Sequence, residues 1–139
     1  MKGIKILVVI VILLPMGYFA SIFAASELGG EVVTLLRPNA EGGIDEVRVW
    51  VVDTPESVLI EHGSQGDWWL TQLPENPNIS LVRGGQKLTF LATASTDFHQ
   101  RYHELRAAKY GWADRTIEIL TGSDAAVCDG MPVRLEIAK

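Results

Sequence analysis

The sequence has a single cysteine and no cluster of basic residues, and both shortages exclude classes of protein. Because Cys128 is the only cysteine among 139 residues, no disulfide can form within the chain, and a cysteine-rich zinc site is excluded. The 12 lysines and arginines stand against 17 aspartates and glutamates, which gives a formal net charge of −5. Since phosphate backbones are bound by clustered positive charge, we do not expect the chain to bind nucleic acid.

The usual sequence signatures of enzymes are also missing. A serine nucleophile on a strand-to-helix turn requires Gly-x-Ser-x-Gly, and the segment from Gly63 to Gly66 lacks that spacing. The chain has neither a phosphate loop ending in Gly-Lys-Ser or Gly-Lys-Thr nor a Gly-x-Gly-x-x-Gly run after a strand. His99 and His103 lie four residues apart on a predicted helix and project to one side, but the pattern offers no third ligand. We therefore expect two solvent-exposed histidines and no metal site.

A long apolar run near the N-terminus is the feature that the sequence has in abundance. Residues 6–25 form a stretch of 20 residues without a charge, which is long enough for a helix to cross a bilayer. Lys2 and Lys5 precede the run, and this charge bias predicts a C-terminal domain on the extracytoplasmic side of the cell membrane. We interpret residues 1–28 as an uncleaved, single-pass transmembrane helix and residues 29–139 as the folded domain.

Two alternatives for the apolar run stay open. A cleaved signal peptide has a shorter apolar region and ends at an Ala-x-Ala-like site, whereas the candidate sites here begin with the bulky side chains of Ile22 or Phe23. A buried helix of a soluble protein is the other alternative, although such a helix is seldom apolar all round.

Short β-rich runs separated by turn residues make up most of the remaining chain. Val47, Val49 and Val51 alternate with Arg48 and Trp50, as expected for a strand with one buried face. A pair of glycines after residue 83 suits a tight hairpin turn. We predict six strands, which are Glu31–Leu36, Val47–Asp53, Ser57–His62, Ile79–Arg83, Gln86–Ala94 and Pro132–Ile137.

The hydrophobic period changes after the fifth predicted strand. Phe98, Tyr102 and Leu105 follow one another at helical spacing, and Gly111 is expected to end this helix. A second short helix is predicted to end at Gly122. Six strands in hairpins with one or two C-terminal helices predict a mainly β, α+β domain built as a small barrel.

The segment from His62 to Trp69, with the strand before it, is the candidate binding site that remains. Glycine beside Ser64 lets backbone amides approach an anion, and Trp50 or the pair Trp68 and Trp69 can wall a flat aromatic cofactor. On an extended segment the adjacent tryptophans point to opposite faces, so we expect one of them to face a pocket or the core and the other to lie outside it. The alternative is that the tryptophans simply fill the core of the barrel.

The order of four short motifs resembles a known family. The motifs are Arg48-Val-Trp-Val-Val-Asp53, His62-Gly63-Ser64-x-Gly66, Trp69-Leu-Thr-Gln-Leu73-x-x-Asn76-Pro77 and a strand from Ile79 to Val82. Together they resemble the split β-barrel flavin and deazaflavin oxidoreductases, in particular the deazaflavin-dependent nitroreductase and quinone-reductase family, which are relatives of the pyridoxamine-phosphate-oxidase-like barrels. The later segments Lys109-Tyr110-Gly111 and Met131-Pro132-Val133 also fit the ending of that family.

The resemblance implies a fold and an activity. It implies a six-stranded split β-barrel, often a homodimer, that holds a deazaflavin coenzyme or FMN along its wall and transfers hydride to a quinone or a nitro compound. By their positions in the motifs, seven residues are implied to contact the cofactor, namely Arg48, Trp50, His62, Gly63, Ser64, Trp69 and Gln72. No catalytic acid or base is implied. Trp69 matches the family's position and Trp68 does not, so we assign Trp69 to a pocket or core wall and Trp68 to a subunit interface or the membrane surface.

The sequence departs from the family pattern where the family grips phosphate. The basic, glycine-rich segment ahead of the Trp-bearing strand is here the acidic run Asn39-Ala-Glu-Gly-Gly-Ile44, and an acidic loop is a poor phosphate cradle. Gln72 and Glu75 stand where the family has asparagine and alanine. Two functions therefore stay open: a membrane-anchored oxidoreductase, and a non-catalytic membrane-anchored barrel that binds a small molecule, haem or a protein partner.

Overall fold

Six antiparallel strands close into a barrel within residues 2–138, which are the residues that the computed structural model describes. The strands are β1 (Val32–Pro38), β2 (Ile44–Asp53), β3 (Val58–Ser64), β4 (Asn78–Arg83), β5 (Gln86–Ala94) and β6 (Gly130–Ile137). Hydrogen-bonded neighbours follow one another in the order β1-β2-β3-β6-β5-β4, and β4 pairs with β1 to close the barrel. The predicted six-stranded barrel is confirmed, with β2 beginning three residues earlier than the alternation indicated.

The inward side chains of the strands form one apolar core. Val49 and Val51 point inward as predicted, and Phe90 and Ala92 contribute the same face of β5. Leu35, Ile60, Leu81, Val133 and Leu135 lose all contact with solvent. Burial of each such aliphatic side chain stabilises the fold by about 1.5–3 kcal/mol, which makes this core the main source of stability.

Four helices decorate the barrel in the described part of the chain. They are α1 (Lys2–Gly29), α2 (Trp68–Gln72), α3 (His99–Tyr110) and α4 (Trp112–Thr121). Helix α3 covers the outer face of β2 and β3, where Tyr102 and Tyr110 pack against Val52 and Leu59 in a second apolar cluster. The two predicted C-terminal helices are confirmed, separated by Gly111 at a φ of 51°.

Helix α1 is joined to the domain by direct contacts. Its segment Leu7–Gly29 is long and apolar enough to cross a bilayer, judged by length and composition. The Tyr18 hydroxyl donates a hydrogen bond of 2.7 Å to the Leu120 carbonyl of α4, and Ala25 is buried. A side chain at Gly30 would meet the Trp50 indole and lie 2.9 Å from the Ser26 carbonyl. The C-terminal part of α1 therefore packs against α4 and β2.

An ionic network ties three strand ends to α3. The Arg83 guanidinium donates to Glu31 at 2.6 and 2.9 Å and to Asp53 at 2.7 and 2.9 Å, and the Lys109 ammonium lies 2.5 Å from Glu31 and 3.0 Å from Asp53. Hydrogen bonds from Arg83 and Lys109 lower the pKa of Asp53 from 3.8 to about 2, and Arg83 also lowers the pKa of Glu31.

We expect this network to make stability depend on acid pH. Because the pKa of Asp53 is depressed in the folded state, its contribution is present above about pH 4 and is lost as the pH falls towards 2. Asp53→Asn should therefore lower the free energy of unfolding at pH 6, and the gap to wild type should close between pH 4 and 2. The gap should be about 1 kcal/mol or less, since the Asp53 side chain is 47% exposed.

The measurement is urea denaturation of the detergent-solubilised chain at a series of pH values. Glu56→Gln, at an exposed loop position, is the matched control and should leave the curve close to wild type. A gap for Asp53→Asn that stays constant down to pH 2 would contradict the role assigned to the network.

Candidate functional site

A groove on the outer face of β2 and β3 brings together three of the residues implied to bind a cofactor. Arg48, Trp50 and His62 line this space, whose volume is about 320 Å³. Helix α3 forms the opposite wall with Tyr102 and Arg106. The remaining lining comes from Ile22 and Ser26 of α1, Val49, Glu61 and Ile117. We call this space the α1 groove.

The end of α1 holds two side chains of the α1 groove in place. The Arg48 guanidinium forms an ion pair with Glu27, in which its Nε donates to a carboxylate oxygen at 3.2 Å. The Trp50 indole donates a hydrogen bond of 3.2 Å to the Ser26 carbonyl. Its ring also packs 4.6 Å from the ring of Tyr110, measured between centroids. The positive charge of Arg48 is thus already matched by a carboxylate.

The turn after β3 uses its backbone amide internally. Gly63 has a φ of 84°, and the Ser64 amide donates a hydrogen bond of 3.0 Å to the Asp67 carboxylate. Burial, with the nearby charge of Arg37, lowers the pKa of His62, so this imidazole is neutral at pH 7. The carboxylate of Asp67 therefore occupies the place at the amide that an anionic ligand would need.

Trp69 lies in the core of the barrel and does not line the α1 groove, although its ring centroid is 6.2 Å from that of His62. Its side chain is 2% exposed, whereas that of Trp68 is 44% exposed. Both tryptophans border a second cleft of about 290 Å³ with Arg37 and Asp67. Gln72, the last residue of α2, donates its side-chain amide to the Thr71 hydroxyl. Of the seven implied residues, the α1 groove therefore unites three, and the others lie at the end of β3 or on α2.

The loop between β1 and β2 is closed by its own asparagine. The Asn39 side-chain oxygen accepts hydrogen bonds from the amides of Gly43 at 2.8 Å and Glu41 at 3.2 Å, and its amide donates to Asp45 at 2.8 Å. These amides are therefore engaged within the loop. The loop therefore offers no anion-binding surface, because its amides are engaged and its sequence is acidic.

The residues of the α1 groove fit the ring system of a flavin-type cofactor but not its phosphate group. The partly buried indole of Trp50 offers aromatic surface, which suits a flat ring system. Both guanidiniums already have carboxylate partners, because Arg48 pairs with Glu27 and Arg106 donates to Asp114 at 2.5 Å. The groove thus fits a ring system, and a phosphate group finds no unpaired cation among the residues that line it.

A cluster of four side chains beside the α1 groove joins the two histidines to two residues that the sequence did not associate with them. Glu61 of β3, His99 and His103 of α3, and Cys128 place one donor atom each within 4.8 Å of one another. The expectation of two solvent-exposed histidines is wrong, since His103 is only 5% exposed. The reason is that the face of α3 that carries both histidines packs against β3. Burial lowers the pKa of His103 and raises that of the Cys128 thiol.

Comparison with known proteins identifies the fold. No protein-family model and no curated protein matches this chain. A putative 5-nitroimidazole antibiotic resistance protein from Bacteroides thetaiotaomicron is 8% identical, with a TM-score of 0.54 over 79% of this chain and 74% of that one.

Two further solved structures show the same architecture. An F420-H2 dependent reductase is 16% identical, with a TM-score of 0.50 over 75% of this chain and 93% of that one. HutZ, the heme storage protein of Vibrio cholerae, is 17% identical, with a TM-score of 0.51 over 78% of this chain and 82% of that one. At these identities the likeness shows the fold alone, and it is the fold of the split β-barrel proteins.

Proposed function

We propose that this chain is a membrane-anchored oxidoreductase of the split-barrel type, whose α1 groove holds the ring system of a deazaflavin coenzyme or FMN. The observation that supports the proposal is the lining of the groove, where the partly buried indole of Trp50 borders a space of about 320 Å³. That volume lies within the range of about 300–1,000 Å³ typical of small-molecule sites. When bound, such a cofactor supplies the hydride, and the protein positions it.

The location of the groove favours a substrate that is dissolved in the membrane. Ile22 and Ser26 of α1 line it, so a quinone or an apolar nitro compound can reach it along the helix. Trp50 is fixed by its hydrogen bond to Ser26, and His62 is neutral, so its ring adds no charge beside the ligand. The chain's own role is to bind and orient, and no acid or base in the groove is assigned to catalysis. We also propose that two copies of the chain form a homodimer.

A second candidate function is supported by the pairing of the charged groups. Arg48, Arg106 and the Ser64 amide all have carboxylate partners, which leaves a phosphate-bearing cofactor without a ready partner. On this basis the chain is a non-catalytic, membrane-anchored module that binds a small molecule, haem or a protein. The split barrel is compatible with both candidates, because a fold of this kind serves both a reductase and a heme storage protein.

Cofactor titration separates the two candidates. The full chain, purified in detergent, is titrated with FMN, a deazaflavin coenzyme and haem while absorbance and fluorescence are followed, and light scattering gives its oligomeric state. Saturable binding of a flavin-type cofactor, followed by quinone-dependent reoxidation after its reduction, supports the oxidoreductase. Binding of haem alone supports the second candidate, and binding of none of the three contradicts the oxidoreductase.

Substitutions at Arg48 and Glu27 test the position of the cofactor. If its phosphate uses the Arg48 guanidinium, Arg48→Ala should weaken binding about tenfold, equivalent to about 1.4 kcal/mol. Glu27→Gln should strengthen binding, because it removes the competing carboxylate. Arg37→Ala, in the separate cleft beside Trp69, is the control and should leave the affinity unchanged. A loss of affinity for Arg37→Ala alone would place the cofactor in that other cleft.

We further propose that α1 is retained as a single-pass anchor, with the barrel on the extracytoplasmic side. Retention is supported by the contacts of Tyr18 with Leu120 and by the burial of Ala25, which cleavage near residue 25 would remove or disrupt. On α4, the exposed side chains of Trp112 and Ile119 lie seven residues apart and so project from one side, as suits contact with a membrane surface.

Two measurements test the anchor. Mass spectrometry of the membrane-extracted chain should find residues 1–28 intact. A reporter that works only in the cytoplasm, fused after residue 139, should be silent. An active cytoplasmic reporter would overturn the assigned side, and loss of the first 25 residues would overturn the anchor.

A further inference from the structure

We propose that Glu61, His99, His103 and Cys128 bind one divalent transition-metal ion, with Zn²⁺ as the best fit. This four-residue set, here called the His-Glu-Cys cluster, goes beyond the proposed function and is independent of any flavin. It joins three separate parts of the chain, because Glu61 lies on β3, both histidines lie on α3, and Cys128 precedes β6. A bound ion would link these three parts.

The spacing of the donor atoms suits a tetrahedral ion. Glu61 presents one carboxylate oxygen 3.1 Å from His99 Nδ1. Its other oxygen lies 3.4 Å from His103 Nε2 and 3.4 Å from Cys128 Sγ. Zinc bonds of about 2.0–2.3 Å in a tetrahedron place the donors about 3.3–3.8 Å apart. The three measured distances are close to that range, and one donor atom from each of the four residues lies within 4.8 Å of the others, so the four can surround one ion.

Two members of the cluster are buried with unsatisfied polar atoms. Within residues 7–138, neither ring nitrogen of His103 has a hydrogen-bond partner of good geometry. The side chain is only 5% exposed, so water does not supply the missing partners either. The Glu61 oxygen nearest His99 is also without one, in a side chain that is 7% exposed. Buried polar groups without partners cost free energy and are rare in native proteins. A metal ion between them would bind His103 Nε2, the nitrogen that faces Glu61, and the Glu61 carboxylate.

The hydrogen bond that His99 makes through one ring nitrogen leaves the other nitrogen free to bind a metal ion. His99 Nε2 lies 3.1 Å from the Ala125 carbonyl, which can only accept, so Nε2 carries the proton. In the neutral ring Nδ1 then has a lone pair, and it faces a carboxylate oxygen of Glu61. Two acceptors in contact need either a proton or a metal ion between them, and a metal ion is the one that can also reach His103 and Cys128. A backbone carbonyl that fixes the opposite nitrogen is also the usual outer support of a metal-binding histidine.

Cys128 has support suited to a thiolate ligand. The Gly130 amide donates to Cys128 Sγ at 3.4 Å, and such a donor favours negative charge on sulfur. Without a metal ion the thiol donates to Glu61. A side chain at Gly130 would come within 2.7 Å of the Glu61 carboxyl carbon, so glycine there allows this close approach.

Charge and ligand type also favour a transition metal. Two neutral imidazoles, one carboxylate and one thiolate carry a formal charge of −2, which balances a divalent ion. Arg106 is the nearest cation, at 4.0 Å from Glu61, and its charge is shared with Asp114 at 2.5 Å and Glu118 at 3.6 Å. Nitrogen and sulfur donors select zinc and its neighbours over calcium or magnesium.

The cluster has an entry path. His99 and Cys128 border an open cleft of about 520 Å³, together with Ser64 and Gln65. Because four protein ligands close a tetrahedral site, the ion would serve to hold α3, β3 and the segment before β6 together rather than to activate water.

Cobalt titration tests the proposal. The full chain is purified in detergent, freed of metal with a chelator and titrated with Co²⁺ under reducing conditions. One equivalent should give the strong visible bands of tetrahedral Co²⁺ and a near-ultraviolet sulfur-to-cobalt band, and Zn²⁺ should displace it. Zn²⁺ should also raise the midpoint of thermal unfolding. Absence of saturable binding at micromolar metal would overturn the proposal.

Variants locate the ion. Cys128→Ser preserves the size of the side chain and should abolish the sulfur-to-cobalt band, and His103→Ala should weaken binding at least tenfold. His62→Ala, which replaces the histidine outside the cluster, is the control and should bind as wild type does. Circular dichroism establishes that each variant is folded. If His103→Ala does not fold, the test rests on Cys128→Ser alone. A sulfur-to-cobalt band that persists in the Cys128→Ser variant would overturn the proposal. The outcome does not depend on whether a flavin binds.

Discussion

Replacing Trp69 with alanine is expected to lower the free energy of unfolding by about 3–5 kcal/mol, one of the two largest effects that we expect from a single substitution. Trp69 is 2% exposed and lies in the barrel core with Leu70 and Leu73 of the same segment. Its removal leaves a cavity that the closed strands cannot collapse to fill. The measurement is urea denaturation of the detergent-solubilised chain, followed by far-ultraviolet circular dichroism.

Trp68 and a conservative change provide the matched controls. Trp68→Ala removes an equal volume from a side chain that is 44% exposed, so it should cost about 1 kcal/mol or less. Trp69→Phe should cost less than Trp69→Ala, since it fills most of the space and removes an indole nitrogen that has no hydrogen-bond partner in the described structure. Equal losses for the two alanine variants would show that Trp69 is not a core residue.

The alternation of side chains predicted the barrel strands, but it could not tell which outer faces are covered. Val49 and Val51 point into the core as expected. Val52 lies on the opposite face of the same strand and is buried too, because Tyr102 and Tyr110 of α3 pack on it. Successive side chains of a strand point to opposite faces, so the alternation tells which residues share a face. Only the position of a helix distant in sequence decides whether the second face meets solvent.

The tryptophan pair shows a correct assignment reached through a wrong local conformation. Trp68 and Trp69 were expected on an extended segment, and they lie instead at the start of the short helix α2. Adjacent residues on a helix also diverge, by about 100°, so one ring is buried and the other is exposed, as predicted. The sequence therefore predicted correctly which tryptophan is buried, but not the secondary structure on which both lie.

The His-Glu-Cys cluster depends on contacts that the sequence does not reveal. The spacing of His99 and His103 was visible, but Glu61 and Cys128 lie 67 residues apart and meet only because β3 pairs with β6. The same holds for the α1 groove. Motif order placed Arg48 and Trp50 on one strand, whereas their partners Glu27 and Ser26 come from the end of a helix that the sequence predicted only as an anchor.

Gly63→Ala is the second substitution expected to have a large effect, with a loss of about 2.5–5 kcal/mol. Gly63 has a φ of 84°, which costs an alanine about 1–2 kcal/mol. Its new methyl group would clash with the Asp67 carboxylate and lie 3.0 Å from the Trp69 indole nitrogen. Displacing Asp67 breaks its hydrogen bond from the Ser64 amide, which costs about a further 1.5–3 kcal/mol for a charged acceptor.

Gly66 in the same turn separates the two causes. It has a φ of 96°, but a methyl group there would meet no atom within 4 Å. Gly66→Ala should therefore show the cost of the backbone alone, about 1–2 kcal/mol by the same denaturation measurement. Asp67→Ala should cost less when Gly63 is already alanine than in the wild-type chain, because the clash has then been relieved. Equal losses for Gly63→Ala and Gly66→Ala, with additive behaviour at Asp67, would show that the close contact with Asp67 is not what makes glycine necessary at position 63.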